Sequence, residues 1–254
     1  MKVAWVTGGG TGIGRALAQA LYREGYWVAI SGRRRDVLDE TSRQISASQG
    51  PGQIHALEAD ITDPSQIKSA VAVLGKFSGK VHLLINNAGD NPHHSFQETT
   101  LEEFQGSFHI NCLGAIQIVK EVLPLMRHGE GATIVNVSSI LGKMASAGSP
   151  SYSVSKYAMT GFTDMLRQWL VGSGIHVMGV YPGFIQTAMT APFVQPGSIK
   201  SRFAASPESM ARAILKGIRR QKAEVHYPWY VSWVLRFHRA MPEVAAKVAR
   251  RVKH

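Results

Sequence analysis

A single cysteine, Cys112, stands among 254 residues, which excludes an intrachain disulfide framework and suits a reducing compartment such as the cytoplasm. No stretch reaches the ~18 uninterrupted apolar residues that a membrane-crossing helix needs. The apolar run at residues 2–7 is too short for the core of a secretory signal and gives way at once to Gly8, Gly9 and Gly10, so it reads as a first strand. Acidic side chains are scarce towards the C-terminus: residues 200–254 hold 3 Asp+Glu against 13 Lys+Arg, whereas residues 1–199 hold 14 against 15. The net charge of +11 therefore belongs to the last fifth of the chain and has to be explained there.

What is present begins with strand, glycine turn and helix. Residues 2–7 lead into Gly8-Gly-Gly-Thr-Gly12-Ile-Gly14, and a helical pattern of Ala16, Leu17, Ala20 and Leu21 follows. Such glycines permit a tight turn, a close backbone approach to a pyrophosphate and tight helix–strand packing. The free N–H groups and positive dipole end of the helix would hold phosphates. The second strand, residues 26–31, lacks the acid that would bind a ribose 2′-hydroxyl and runs instead into Gly32-Arg33-Arg34-Arg35. Guanidiniums at that point suit a 2′-phosphate, which favours NADP(H) over NAD(H), with Arg33 foremost and Ser31 and Arg34 beside it. Asp36 comes too late to take the place of the missing acid.

Strands and helices keep alternating. Strands are read at residues 53–58, 81–85, 132–137, 175–181 and 223–226, and helices at 63–77, 101–126, 152–170 and 206–221. Asp63 or Thr62 is the expected cap of the first of these helices, with Pro64 in its first turn. Repeated strand–helix units imply an α/β, doubly wound parallel sheet, and no composition shift divides residues 1–226.

Tyr152 and Lys156 lie four residues apart, neighbours on one helical face. An ammonium beside a phenol lowers its pKa from ~10 and would make the pair a general acid/base.

Taken with Thr7-Gly-x-x-x-Gly-Ile-Gly14, Asn86-Asn-Ala-Gly89, Asn111, Ser139 thirteen residues before Tyr152, and Pro182-Gly183 with Thr187, the chain resembles the short-chain dehydrogenase/reductase family over residues 2–226. The resemblance implies a single Rossmann-like domain, a seven-stranded parallel sheet with helices on both faces, and assembly into dimers or tetramers. It implies interconversion of a carbonyl and a secondary alcohol, with Tyr152 giving its proton to the oxygen. Lys156 would lower the phenol pKa and hold the nicotinamide ribose. Ser139 would fix the substrate oxygen, and Asn111 would hold a water linking Lys156 to solvent. Cofactor contacts carried over are Gly8, Gly10, Thr11, Gly12, Ile13 and Gly14 at the glycine turn, and Asp60 and Ile61 at the adenine. Asn87, Ala88 and Gly89 would border the adenosine side, and Pro182, Gly183, Ile185 and Thr187 the nicotinamide and phosphates. One departure is Thr11, where NADP-preferring members often carry a basic residue; the preference then rests on the arginines. The alternative is a catalytically inactive dinucleotide-binding regulatory or scaffold protein, against which the intact Asn111, Ser139, Tyr152 and Lys156 argue.

Other residues have plainer readings. Ser138 supports the loop, and Cys112 is a small core residue. His93-His94 lacks a third ligand at zinc-like spacing, so a pocket wall or plain exposure is the better account and no metal is expected. Asp90 replaces an apolar residue of the family and either polarises the pocket mouth or caps its own loop. Residues 188–205 form a flap in such proteins; Met189, Phe193, Val194 and Phe203 would close over a hydrophobic substrate, unless the segment is an irregular loop without preference.

Residues 227–254 extend beyond the last strand. Trp229, Trp233 and Phe237, then Val244, Val248 and Val252, recur every four residues among Arg236, Arg239, Lys247, Arg250, Arg251 and Lys253. Amphipathic helices of this composition suit an anionic membrane surface, or docking on the domain or a second subunit. Nucleic acid is disfavoured because the aromatics keep helix-face spacing.

Overall fold

The structure is a computed structural model and describes residues 1–127, 131–192, 194 and 197–251. Phe193, Val252 and Lys253 lie outside the described residues, as do the side chains of Arg250 and Arg251. Strand β1 (Val3–Thr7) is buried at every position, because an apolar run without alternation fills both faces of a sheet. It is followed by α1 (Gly12–Arg23), β2 (Trp27–Gly32), α2 (Arg35–Ser46), β3 (Gln53–Glu58), α3 (Pro64–Ser78) and β4 (Leu83–Asn86). Next come α4 (Leu101–Phe108), α5 (Gly114–Arg127), β5 (Thr133–Val137), α6 (Pro150–Trp169), β6 (His176–Pro182) and α7 (Ile199–Phe203). The chain closes with α8 (Pro207–Arg219), β7 (Glu224–Tyr227), α9 (Tyr230–Ala240) and α10 (Pro242–Arg251).

Among the described residues the sheet has seven strands in the order β3-β2-β1-β4-β5-β6-β7, and every neighbouring pair is parallel. Alternate residues supply opposite cores. Val3, Trp5, Trp27 and Ala29 face Ile67 and Leu74 of α3, Ile118 and Val122 of α5, and Phe162 and Leu166 of α6. Ala4, Val6, Val28 and Ile30 face Leu17 and Leu21 of α1, Leu38 and Ile45 of α2, and Ile214 and Leu215 of α8. This is the three-layer Rossmann-like architecture. The strand order reverses direction between β1 and β4, so a crevice opens above their C-terminal ends, where ligands bind in such sheets.

Local chemistry sets the boundaries. Asp63, not Thr62, caps α3: its carboxylate accepts from Ser65 N and Gln66 N, and Pro64 opens the helix. Thr100 and Glu103 cap α4 reciprocally, and Ser206 caps α8.

Two expectations change, and the two helices expected of the extension are present. The helix read over residues 101–126 is interrupted: His109–Leu113 forms a π-turn between α4 and α5, with the fully buried Asn111 at its centre. The flap is not wholly irregular, since it contains α7, and Ile185 bridges Ala205 across it. The extension splits into α9 and α10, whose two faces differ. Val231 is buried and the Tyr230 hydroxyl accepts from Phe184 N at 2.9 Å, whereas Trp229 and Trp233 stay 71% and 63% exposed.

Candidate active site

The glycine turn builds a phosphate cradle. Gly8 and Gly12 adopt left-handed φ values of 63° and 53°, which favour glycine. A Cβ on Gly14 would stand 2.2 Å from the Gly8 carbonyl oxygen, so no side chain fits there. Thr11 precedes α1 without capping it, and no acid occupies the first turn. The first N–H groups of α1 are thus left for an anion, which the capped α3, α4 and α8 do not offer. Ile13 packs at the helix start against the core. Asn87 anchors the turn: its Nδ2 donates to Thr7 O at 2.9 Å and Gly8 O at 3.2 Å. Thr7 Oγ1 accepts from both Asn87 N and Ala88 N at 3.0 Å. Thr7 is therefore the latch between β1 and β4, a role that its place in a motif does not reveal.

A cleft runs from this turn past Arg33, Arg34, Asp60, Ile61 and Gly89 to Asp90. The arginines separate. Arg33 and Arg34 line the cleft, while Arg35 turns along α2 to pair with Asp39 at 2.9 Å. Ser31 is buried in the cleft wall, and its Oγ accepts from Trp5 Nε1 at 2.9 Å, which braces the sheet there. One oxygen of Asp60 holds Thr62 through N and Oγ1, both at 2.8 Å. Beyond β6, the Ile185 side chain is buried in the core and only its main chain faces the site. Thr187 lies over the glycine turn, 3.1 Å from where a Gly12 Cβ would be. These features fit a dinucleotide: a donor-rich turn, a backbone free of obstructing side chains, and cations at the end of β2.

A cluster from the end of β5, the π-turn and α6 adjoins the cleft at Gly89 and Asp90. Ser139, Tyr152, Lys156 and Asn111 are all buried. Ser139 Oγ accepts from Leu141 N at 3.1 Å and holds the Tyr152 phenol down against burial. Lys156 Nζ donates to Val137 O at 3.0 Å and stands 5.6 Å from the Tyr152 ring centre. Asn111 Nδ2 reaches Ser155 Oγ at 3.0 Å and Asp90 Oδ1 at 2.8 Å.

The protonation balance differs from the simple expectation. Burial pushes the Tyr152 phenol up to about 12, opposed by the Ser139 hydrogen bond and reinforced by the Asp90 charge. Burial pulls Lys156 down to about 8, with Asp90 and Cys112 resisting. The ammonium does not make this phenol acidic in the protein alone; desolvation outweighs it.

Several residues outside the motifs hold the cluster. Ser138 Oγ donates to Lys156 O at 3.0 Å, which accords with its supporting role. Asn86 Nδ2 donates to Asn136 Oδ1 at 2.8 Å, and Asn136 Nδ2 to Thr163 Oγ1 at 3.0 Å, stitching β4, β5 and α6 together. Cys112 is a buried free thiol. His93 contacts the Met189 main chain, joining the β4 loop to the flap, and His94 pairs with Glu103 at 2.7 Å. Buried Asn and Ser partners of this kind carry no sequence signal beyond their polarity in an apolar run.

The family model for short chain dehydrogenase matches residues 2–197. A ketoacyl reductase, HetN, from Nostoc is 32% identical over 225 residues, covering 88% of this chain and 77% of that protein. Two solved structures share the fold. A short chain dehydrogenase/reductase from Burkholderia phymatum in complex with NAD has a TM-score of 0.84 at 22% identity, covering 96% of this chain and 94% of that one. The L-sorbose reductase of Gluconobacter frateurii, complexed with NADPH and L-sorbose, has a TM-score of 0.80 at 23% identity, covering 89% and 94%.

Proposed function

The chain belongs to the short-chain dehydrogenase/reductase family and is an NAD(P)-dependent oxidoreductase of carbonyl and alcohol groups, and within that class we propose an NADP(H)-dependent carbonyl reductase acting on a hydrophobic substrate. The observation that carries the proposal is the buried Ser139–Tyr152–Lys156 cluster, whose Lys156 adjoins Gly89 in the wall of a cleft also lined by Arg33 and Arg34.

A bound nicotinamide supplies the hydride in this chemistry. The chain supplies the proton and the geometry. The carbonyl oxygen is received by the hydroxyls of Ser139 and Tyr152. Tyr152, neutral at physiological pH, donates its phenolic proton as the oxygen gains charge. Lys156 adds a positive field beside the phenolate that remains and keeps two N–H donors for the ribose. Asn111, opened towards the site by the π-turn, supports the path by which the proton is restored. The cofactor contacts proposed from the motifs are carried into this reading, Ser31 among them in the wall of the cleft. Arg33 and Arg34 select the 2′-phosphate because no acid stands at the end of β2 to prefer a free hydroxyl.

Residues 1–226 form the catalytic domain in this reading, and residues 227–254 an extension in contact with the flap. Phe203 of α7 meets Tyr230 of α9 edge-on, with ring centres 5.8 Å apart. The outer row of Trp229, Trp233 and Phe237, with Arg236 over the Trp233 ring at 5.5 Å, supports peripheral contact with anionic lipid. Among the described residues no helix is long and apolar enough to cross a membrane. The cytoplasm is the proposed compartment. Exposed Val154, Tyr157 and Met165 on α6 support a homo-oligomer, dimer or tetramer.

The test is a screen of carbonyl compounds, from steroids and long-chain ketones to sugars, with NADPH and NADH in parallel. The proposal predicts turnover of an apolar carbonyl with higher kcat/KM for NADPH. Arg33→Ala should narrow that ratio. A clear NADH preference, or turnover of sugars alone, would overturn it.

A further inference from the structure

The proposed chemistry leaves one charge beside the cluster unassigned. Asp90 follows Gly89 on the loop after β4 and lines the cleft. Three hydrogen bonds fix it against the π-turn. Its N–H donates to Asn111 Oδ1 at 3.1 Å, and Asn111 Nδ2 donates to Asp90 O at 3.1 Å and Oδ1 at 2.8 Å. Ser107 of α4 stands near enough to favour the charged carboxylate. A Cβ on Gly89 would lie 2.6 Å from Asn111 Oδ1 and 3.3 Å from Lys156 Nζ, so the glycine lets this segment lie against both side chains.

Loop capping alone would account for a short polar side chain here. It does not account for a carboxylate placed where a buried ammonium and a buried phenol both feel it. We propose that Asp90 is a positioning residue whose negative charge, held by Asn111, keeps the protons on Lys156 and Tyr152 and so maintains the proton-donating state of the cluster. The sign is the same for both groups, because an adjacent negative charge stabilises a cation and destabilises a phenolate.

The groups facing this carboxylate come from each neighbouring element. Lys156 and Tyr152 project from α6, and Ser107 from α4. Cys112 on the π-turn acts on Lys156, and burial pushes its thiol up. On the same loop, His93 is engaged by the Met189 main chain and His94 by Glu103. Burial raises Asp90 itself, while Asn111 and Lys156 pull it back towards the charged form.

The inference rests on the oxidoreductase reading for its purpose, but its test does not need turnover. Lysine labelled with ¹³C would be titrated by NMR in the dinucleotide-free protein, with Lys156→Arg identifying the resonance. In Asp90→Asn, which keeps an oxygen for Asn111 but removes the charge, the Lys156 midpoint should fall by about one pH unit. Asp90→Ser serves as a second neutral variant if Asp90→Asn does not fold, and Asp90→Glu should restore the midpoint. For carbonyl reduction, the alkaline limb of the pH profile should move down by the same interval. An unmoved Lys156 midpoint in a folded neutral variant, or a rate loss equal at every pH, would reduce Asp90 to a loop cap.

Discussion

At Tyr152 two effects compete. Burial raises the phenol to about 12, and the Ser139 hydrogen bond only partly offsets this. The result is a proton donor that stays loaded across the neutral range. Lys156 behaves oppositely, because burial penalises its charged form and brings it to about 8. Reduction that relies on the ammonium should therefore hold below about pH 8 and decline as pH rises through that value, while the phenol is still protonated; a kcat profile with a carbonyl substrate checks this. A rate that stays flat to pH 10 would mean that Lys156 keeps its proton by other means. The spacing of Tyr152 and Lys156, and of Ser139 before them, is legible in the sequence. The sign of the phenol shift is not, because burial of all three depends on β5, the π-turn and α6 meeting.

Single elements show where pattern reading succeeds and where it stops. The glycine turn could be read from its residues because the requirement is steric: Gly14 faces a carbonyl oxygen at a distance that no Cβ tolerates. Gly14→Ala should abolish dinucleotide binding, as measured by quenching of intrinsic fluorescence, and destabilise the α1–β1 junction. The π-turn at Asn111 was not legible, because one extra residue in a turn leaves the apolar periodicity of residues 101–126 largely intact. The contact between α9 and the β6 loop was equally hidden. Tyr230 lies 46 residues from Phe184, yet its hydroxyl satisfies the Phe184 N–H, and Gly183 leaves room for the ring. Tyr230→Phe should cost about 1–3 kcal/mol in chemical denaturation, the range for a buried donor left unpaired. It should also raise KM for the dinucleotide, since the loop that it steadies carries Ile185 and Thr187. A Tyr230→Phe protein as stable as the wild type would show that the N–H finds another partner.

The whole molecule is an α/β domain whose cationic charge gathers in its last helix and in the extension that follows, with Glu224 standing where the two join. Glu224 of β7 pairs with Lys143 at 2.5 Å and His226 at 2.9 Å, and these partners hold its carboxyl down to about 2. Its folded pKa lies below the unfolded value of ~4.3, so its stabilising contribution is complete above that value and is lost as pH falls towards 2. Glu224→Gln should flatten the fall in stability over that window, read as thermal midpoints against pH. At this scale the sequence located the charge but could not assign its faces. Val231 and Tyr230 pack inwards, so deleting residues 227–254 would strip the core as well as the surface. Trp229→Ala with Trp233→Ala and Phe237→Ala is the cleaner test of lipid contact. The triple variant should lose co-flotation with anionic liposomes while keeping its fold; undiminished flotation would leave docking on a second subunit as the better account. The claim on which the rest depends is that Tyr152 gives the proton in carbonyl reduction. It is tested most directly by measuring NADPH oxidation and NADPH affinity together in the wild type and Tyr152→Phe. The account predicts a rate loss of at least about a hundredfold with affinity unchanged, whereas turnover at the wild-type rate would contradict it.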